Sequence, residues 1–160
     1  MFDAARPSRG FPRLGAALAM GTLLAVLALL TAGCSGDDPP VEDPPGDYES
    51  VTFTSSDDVS LHGRLFGGGA GKPGVVLSHM FPADQRSWQP FAETLAEFDF
   101  MVLTFDFRGY GRSEGKKEID KLHWDVEGAV QLLRERGVRG VFLIGASMGG
   151  TASLKVAARE

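Results

Sequence analysis

Cysteine, histidine and basic side chains are all scarce in this sequence of 160 residues. The only cysteine is Cys34, so no disulfide can form within the chain. Lysine and arginine together number 16 against 21 aspartates and glutamates, which gives a net charge of −5. Because binding to phosphate groups needs a surplus of basic residues on one face, this balance argues against nucleic acid as a partner. No cluster of histidine, cysteine, aspartate and glutamate in the sequence has the spacing of a metal site, and no dinucleotide-binding fingerprint is present. Neither a metal nor a cofactor is therefore predicted.

The chain opens with the pattern of an export signal. Three arginines within the first 13 residues precede an uncharged apolar run over residues 14–32. The run ends in Leu-Thr-Ala-Gly-Cys, which resembles the lipoprotein box of bacteria and implies cleavage before Cys34 and lipidation of that cysteine. A transmembrane anchor is the alternative, because about 18 apolar residues can span a bilayer. Both interpretations place the rest of the chain outside the cytoplasm, and the first predicts a protein lipid-anchored to the outer face of a bacterial cell membrane.

These patterns divide the chain into three segments. Residues 1–33 are the predicted signal peptide, residues 34–47 are the lipidated cysteine with a linker, and residues 48–160 are a domain. Four prolines stand among acidic residues in the linker, which has almost nothing apolar to bury. Proline and like charge favour an extended chain, so the linker is predicted to be a spacer between lipid and domain.

The domain sequence predicts an α/β fold. Residues 49–54 and 60–66 alternate apolar and polar side chains about a turn, as the antiparallel strands of a hairpin do. Three later runs are typical of strands buried on both faces, namely residues 74–78, 101–105 and 141–144. Helical spacing between these runs is shown by Trp88, Phe91, Ala92 and Leu95, and then by Leu122, Val126, Ala129, Val130 and Leu133. Strands that alternate with helices predict a parallel sheet with crossover helices, with the hairpin at its edge.

The third apolar run leads directly into residues 145–149, Gly-Ala-Ser-Met-Gly, which fit the pattern G-x-S-x-G. The pattern has mechanical meaning here because it lies between a predicted strand and a run of small residues over 150–158. A sharp turn from strand to helix needs small flanking residues, and it holds the serine hydroxyl above the sheet. The positive end of the helix then faces the charge that forms during attack. The motif therefore predicts Ser147 as a catalytic nucleophile.

Together with this elbow, two further motifs resemble the α/β-hydrolase superfamily over residues 48–160. Residues 78–82, Ser-His-Met-Phe-Pro, resemble its oxyanion loop, and residues 106–113, Asp-Phe-Arg-Gly-Tyr-Gly-Arg-Ser, are similar to its D-x-R-G-x-G-x-S turn. The resemblance implies the α/β-hydrolase fold and an oxyanion hole formed by the backbone amides of Phe81 and Met148. Each such donor contributes about 3 kcal/mol to an acyl-transfer transition state. Met80 stands where the family usually has glycine.

The remaining polar candidates are expected to be structural. The resemblance implies that His79 orders its loop. It also implies that Asp106 and Arg108 brace the turn that follows their strand. His62 is predicted on an edge strand and His123 on a helix, both as surface or packing residues. None of these five side chains is predicted to be catalytic.

A serine nucleophile needs a base and an acid that orients the base, and in α/β-hydrolases these follow in the order Ser, Asp or Glu, His. Only 13 residues follow Ser147. The acid and the histidine are therefore expected outside this sequence, which is expected to be the N-terminal part of the fold, truncated after the elbow.

The predicted function is that of a serine hydrolase that cleaves an ester, thioester or amide of a small-molecule acyl substrate through an acyl-enzyme. Hydrolases of the dienelactone and serine-aminopeptidase types both fit the resemblance. The alternatives are a non-catalytic, surface-anchored binding module and an inactive truncated fragment.

Overall fold

The computed structural model describes residues 44–159, so the predicted signal peptide and Cys34 lie outside the described residues. The strands are β1 Tyr48–Thr54, β2 Ser60–Phe66, β3 Gly74–Ser78, β4 Met101–Phe105 and β5 Val141–Gly145. The α-helices are α1 Gln89–Glu97, α2 Leu122–Glu135 and α3 Met148–Ala157, with short 3-10 helices at Gln85–Trp88 and Ile119–Lys121. No helix in this part of the chain is both long enough and apolar enough to cross a bilayer.

The strands of the described part form one mixed sheet in the order β1-β2-β4-β3-β5. β2 pairs antiparallel with both β1 and β4, whereas β3 pairs in parallel with both β4 and β5. The predicted α/β fold, with an antiparallel hairpin before parallel strands and crossover helices, is confirmed. One detail of the prediction is wrong, because the strand that carries His62 is not at the edge. β2 has a paired strand on each side, and β1 forms the edge instead.

Apolar layers cover both faces of the sheet. On one face, Val76 of β3 packs in a cluster with Leu133 of α2 and Val156 of α3. On the other face, Val75 of β3 packs in a second cluster with Ala92 of α1. Successive residues of β3 thus point to opposite faces, as the two-residue period of a strand requires. Because a fully buried aliphatic side chain contributes about 1.5–3 kcal/mol, the two layers together fix the sheet between its helices.

β5 is more exposed than its sequence predicts. Its apolar run predicts burial on both faces, but Phe142 is 58% exposed and the other residues of the strand are only partly buried. The reason is its position, since β5 is the last strand of the sheet within residues 44–159 and pairs there with β3 alone.

The residues directly before β1 contact the domain. The Tyr48 hydroxyl donates a hydrogen bond to the Pro44 carbonyl at 2.9 Å, and the Gln89 side-chain amide donates to the Pro45 carbonyl at 2.9 Å. The final residues of the predicted linker are therefore held against β1 and α1. The predicted boundary at residue 48 is not tested by these contacts and stays a prediction.

The parallel strands bring the three sequence motifs to one edge of the sheet. Ser78 at the end of β3 stands in register with Phe105 at the end of β4 and with Gly145 at the end of β5. The segments that follow these strands must leave the sheet on the same side, which is where open α/β sheets bind ligands.

Candidate active site

Ser147 occupies the turn between β5 and α3, with φ 49° and ψ −114°. A residue other than glycine held in such a sparsely populated conformation costs about 1–3 kcal/mol, so its neighbours must enforce it. The flanking glycines allow the required close packing. A Cβ atom at Gly145 would lie 2.5 Å from the backbone of Gly149, and one at Gly149 would lie 2.3 Å from the carbonyl oxygen of Ser78. Neither position has room for a side chain, as the nucleophile elbow requires.

The side chain of Ser147 is exposed and does not cap the helix that follows. Serine at an N-cap position usually accepts a hydrogen bond from a backbone N–H two or three residues later. Within residues 44–159 the Ser147 side chain accepts no such bond. The backbone carbonyl of Ser147 instead accepts the amide of Thr151 at 3.0 Å. The hydroxyl therefore lies at the positive end of α3 without being committed to the helix.

The loop after β3 packs directly against this elbow. The amide of Ala146 donates to the carbonyl of Ser78 at 3.1 Å. The carbonyl oxygen of His79 lies only 2.6 Å from the point that a Cβ of Gly149 would occupy. Backbone contact on this scale leaves no space for a side chain between the loop and the start of α3.

The two predicted oxyanion donors lie on these two segments. Phe81 follows His79 in the loop, and Met148 is the first residue of α3. Within the described residues, neither amide donates a hydrogen bond to a backbone group outside the regular helices and strands. An oxyanion hole requires such uncommitted backbone donors close to the nucleophile. The assignment of these two amides stays a prediction.

His79 is fully buried and holds the loop through both ring nitrogens. Its Nε2 accepts the Phe107 amide at 3.2 Å, so the hydrogen-bond network assigns the ring proton to Nδ1, which donates to the Met80 carbonyl at 3.0 Å. The ring also packs edge-on against Phe107 and Tyr110. Burial lowers the pKa of His79, which favours the neutral ring. With both nitrogens engaged, His79 is not placed to take a proton from Ser147, and its predicted loop-ordering role agrees with this geometry.

Asp106 braces the turn that follows β4. Its buried carboxylate accepts hydrogen bonds from the backbone amide of Gln85 at 3.0 Å, the side-chain amide of Gln85 at 2.9 Å and the backbone amide of Arg112 at 3.1 Å. The Ser113 hydroxyl donates to the Asp106 carbonyl at 2.6 Å. The carboxylate is thus directed at its own turn and at the loop after β3, which fits the bracing role.

Arg108 is buried and pairs with carboxylates from two other parts of the domain. Its guanidinium donates to Asp125 of α2 at 2.6 and 2.8 Å, and to Asp57 in the turn of the hairpin at 2.5 and 2.9 Å. Hydrogen bonds from Arg108 lower the pKa of Asp57 to about 2. Burial raises the pKa of Asp125, against the opposing effect of the guanidinium. Arg108 therefore ties the turn after β4 to a helix and to the hairpin.

Sequence reasoning missed three of these partners, Asp125, Gln85 and Asp57. A signal for Asp125 was present, because it directly precedes Val126 within the apolar face predicted for α2. A carboxylate on a buried face indicates a buried cation or donor. Gln85 carried no comparable signal, since it lies in a 3-10 helix with no apolar periodicity.

The other two histidines also have packing or hydrogen-bonding roles. His62 is buried, with Nε2 2.9 Å from the Ser50 hydroxyl and Nδ1 2.8 Å from the amide nitrogen of Gln85. Because an amide nitrogen can only donate, Nδ1 accepts and Nε2 carries the proton. In this tautomer His62 donates to Ser50 and does not activate it. His123 packs against Trp124 with ring centroids 5.3 Å apart.

Tyr110 joins the three motifs at this edge. Its ring packs on His79 of the oxyanion loop at 5.2 Å between centroids, and its hydroxyl lies 3.8 Å from the sulfur of Met148 in the elbow. The Lys117 ammonium lies 4.4 Å from the centre of the same ring. The turn therefore contacts both the loop and the elbow through side chains, in addition to the backbone contacts between loop and elbow.

A mixed sheet with helices on both faces, and a serine on a glycine-flanked turn from strand to helix, define the α/β-hydrolase class. The chain belongs within it to the family described as serine aminopeptidase, S33, whose sequence profile matches residues 71–160. That match includes all three motifs.

The chain is also similar to individual proteins and to solved structures. The thiohydrolase aneE of Aspergillus aculeatus is 36% identical over 118 residues, which cover 66% of this chain and 37% of that protein. The uncharacterized protein YfhR of Salmonella typhi is 31% identical over 114 residues, which cover 66% of this chain and 39% of that protein. The structure of the Pyrococcus furiosus esterase Pf2001 matches with a TM-score of 0.64 and 27% identity over 73% of this chain and 51% of that chain. The chain thus spans about two fifths of the length of these two curated relatives.

Proposed function

We propose that this chain carries the nucleophile of a serine hydrolase that cleaves an ester, thioester or amide through an acyl-enzyme on Ser147. The observation that carries the proposal is the exposed Ser147 side chain, which stands at the positive end of α3 and caps no helix. Two of the proteins that this chain resembles are an esterase and a thiohydrolase, which favours acyl groups as the substrates.

In the proposed reaction the Ser147 hydroxyl loses its proton to a base and attacks the carbonyl carbon of the substrate. The carbonyl oxygen becomes an oxyanion, which the amides of Phe81 and Met148 stabilise with the positive end of α3. The carbon–heteroatom bond to the leaving group then breaks, the leaving group takes up a proton, and the acyl group stays on Ser147. Water hydrolyses this acyl-enzyme and restores the serine.

The base remains a prediction from the sequence. His79 has both ring nitrogens engaged, and His62 donates towards Ser50. A histidine with an orienting acid, in the order that α/β-hydrolases use, is expected outside this sequence. The chain of 160 residues is therefore expected to turn over p-nitrophenyl esters far more slowly than the product of the complete reading frame, and a comparison of the two tests this point.

The nucleophile is tested by labelling the protein from the complete reading frame with a fluorophosphonate probe. We expect labelling in the wild type, loss of labelling in Ser147→Ala, and normal labelling in Ser87→Ala, which removes another exposed serine hydroxyl. Labelling that persists in Ser147→Ala would overturn the assignment. A folded protein that binds ligands but is neither labelled nor active would support the binding-module alternative.

We also propose that Cys34 is the lipidated first residue of the exported protein, on the strength of the small residues before it and the proline-rich segment after it. Mass spectrometry of the protein from bacterial envelopes should show an N-terminal cysteine that carries acyl chains. Cys34→Ser should leave the precursor uncleaved. An unmodified Cys34 with an intact upstream segment would replace the lipid anchor with a membrane-spanning one.

A further inference from the structure

The loop after β3 exposes two large apolar side chains in succession beside the elbow. Met80 is 44% exposed and Phe81 is 62% exposed. Exposed apolar residues that stand singly are ordinary, whereas contiguous exposed apolar surface marks a site for a ligand or a partner. The carbonyl of the preceding residue, His79, lies against the start of α3. Met80 therefore directly follows a residue that contacts the elbow.

The rings that pack on His79 are aromatic, and the two carboxylates whose charge reaches it are engaged elsewhere, Asp84 with Arg86 and Asp106 with Gln85. His79 beneath the loop is favoured in its neutral form by burial. Met148 and Tyr110 contact each other at 3.8 Å and add a thioether and an aromatic ring. The charged group against Tyr110 is Lys117, which lies over the ring. Binding sites for small molecules are lined mainly by side chains of this apolar kind, with few polar groups.

Met80 distinguishes this chain from the motif that its loop resembles. The resembled oxyanion loop usually has glycine at this position, so the methionine adds a side chain where the family pattern has none. It lies between His79, which contacts the elbow, and Phe81, whose amide is the proposed oxyanion donor. Methionine has a flexible, polarizable side chain that adapts to irregular apolar groups.

We propose that the side chain of Met80 is a specificity-determining contact for the acyl chain, and that the site takes acyl donors whose acyl chain is apolar and several carbons long. The inference rests on the proposed function of Ser147. It adds a substrate class that the fold and the elbow do not specify.

The test is the acyl-length profile of the protein from its complete reading frame, measured with p-nitrophenyl acetate, butyrate and octanoate. The wild type should prefer octanoate in kcat/KM. In Met80→Gly the octanoate-to-acetate ratio should fall about tenfold, because a lost methylene-scale contact in an apolar site is worth about that factor. Met80→Leu should keep the ratio. Phe98→Ala is the matched control, since Phe98 is 71% exposed but precedes β4 and so lies at the opposite edge of the sheet.

Two results would overturn the inference while leaving the proposed function intact. One is an unchanged ratio in Met80→Gly, or in Met80→Ala where the glycine variant does not fold, with activity abolished in Ser147→Ala. The other is a preference of the wild type for p-nitrophenyl hemisuccinate over butyrate, which would assign the acyl site to an anionic group near Lys117. Activity or labelling that survives Ser147→Ala would instead remove the proposed function itself.

Discussion

The turns after β4 and β5 leave the same edge of the sheet, but they are held in opposite ways. The turn after β4 is fixed by buried polar side chains, with Asp106 directed at its own loop and Arg108 paired with Asp125. The elbow after β5 is fixed by close backbone packing around Gly145 and Gly149. Its one prominent side chain, Ser147, is exposed.

The difference shows how a turn can be rigid while the side chain at its tip stays exposed. A buried polar network stabilises a turn by pairing its charged side chains with one another and with backbone amides, so those side chains are not available to a substrate. Backbone packing enforces a conformation without using the side chain that the conformation presents. A strained backbone conformation and an exposed hydroxyl thus coincide at Ser147, while the neighbouring turn supplies stability.

The largest expected effect comes from breaking the polar turn. Arg108→Met leaves the Asp125 carboxylate buried without its cation, and we expect a loss of about 4 kcal/mol in the free energy of unfolding. Urea denaturation measures it. Arg136→Met is the matched control, because Arg136 pairs with Glu49 on the surface and such pairs contribute under about 1 kcal/mol. Equal losses in the two variants would show that the buried network does not stabilise the turn.

A smaller loss is expected from crowding the elbow. The Cβ of Gly149→Ala would lie 2.3 Å from the Ser78 carbonyl, so loop and helix must separate at a cost of about 3 kcal/mol. The midpoint temperature of unfolding and the extent of fluorophosphonate labelling should both decrease. Gly140→Ala, which has open space around the added Cβ, should change stability by under about 0.5 kcal/mol. Full labelling of Gly149→Ala would mean that backbone proximity does not define the elbow.

Sequence reasoning succeeded where a feature depends on neighbouring residues. The elbow, the strands and the buried face of α2 follow from patterns within about 15 residues, because local geometry sets them. The face predicted for α1 is only partly correct, since Ala92 is buried but Phe91 is 41% exposed. The pairing of Arg108 with Asp57 joins groups 51 residues apart, and no local pattern encodes it. The burial of His62 and the exposure of Phe142 likewise depend on which strands are neighbours, and this order is a property of the whole sheet.

Relief of backbone strain at the elbow gives a third, smaller effect on stability. It is a gain in the free energy of unfolding, whereas the first two variants lose stability. Ser147→Gly should be about 1 kcal/mol more stable than Ser147→Ala, because glycine adopts φ 49° without the clash of a Cβ atom. Both variants should be unlabelled. Paired urea denaturation curves give the comparison. Identical stability of the two variants would mean that the turn holds no strain to release.

The polar turn should also show a pH dependence. The pKa of Asp57 is lowered to about 2 by Arg108, from the 3.8 of an unperturbed group, so its ionised form stabilises the fold above that ordinary value. The stability difference between wild type and Asp57→Asn should be constant above about pH 5 and shrink as pH falls towards 2. Urea midpoints at several pH values measure it. A difference that grows on acidification would contradict the sign of this linkage.

The close approach of Gly149 to Ser78 has an evolutionary consequence. The glycines that allow the close packing of the elbow, Gly145 and Gly149, and the exposed residue, Ser147, are encoded by different codons. The packing and the exposed side chain can therefore change separately. In a library randomised across residues 145, 147 and 149, folded members should keep glycine at both ends. The middle codon should accept several short side chains. Selection could then exchange the exposed hydroxyl, for example for a thiol or a carboxylate, without rebuilding the turn that displays it.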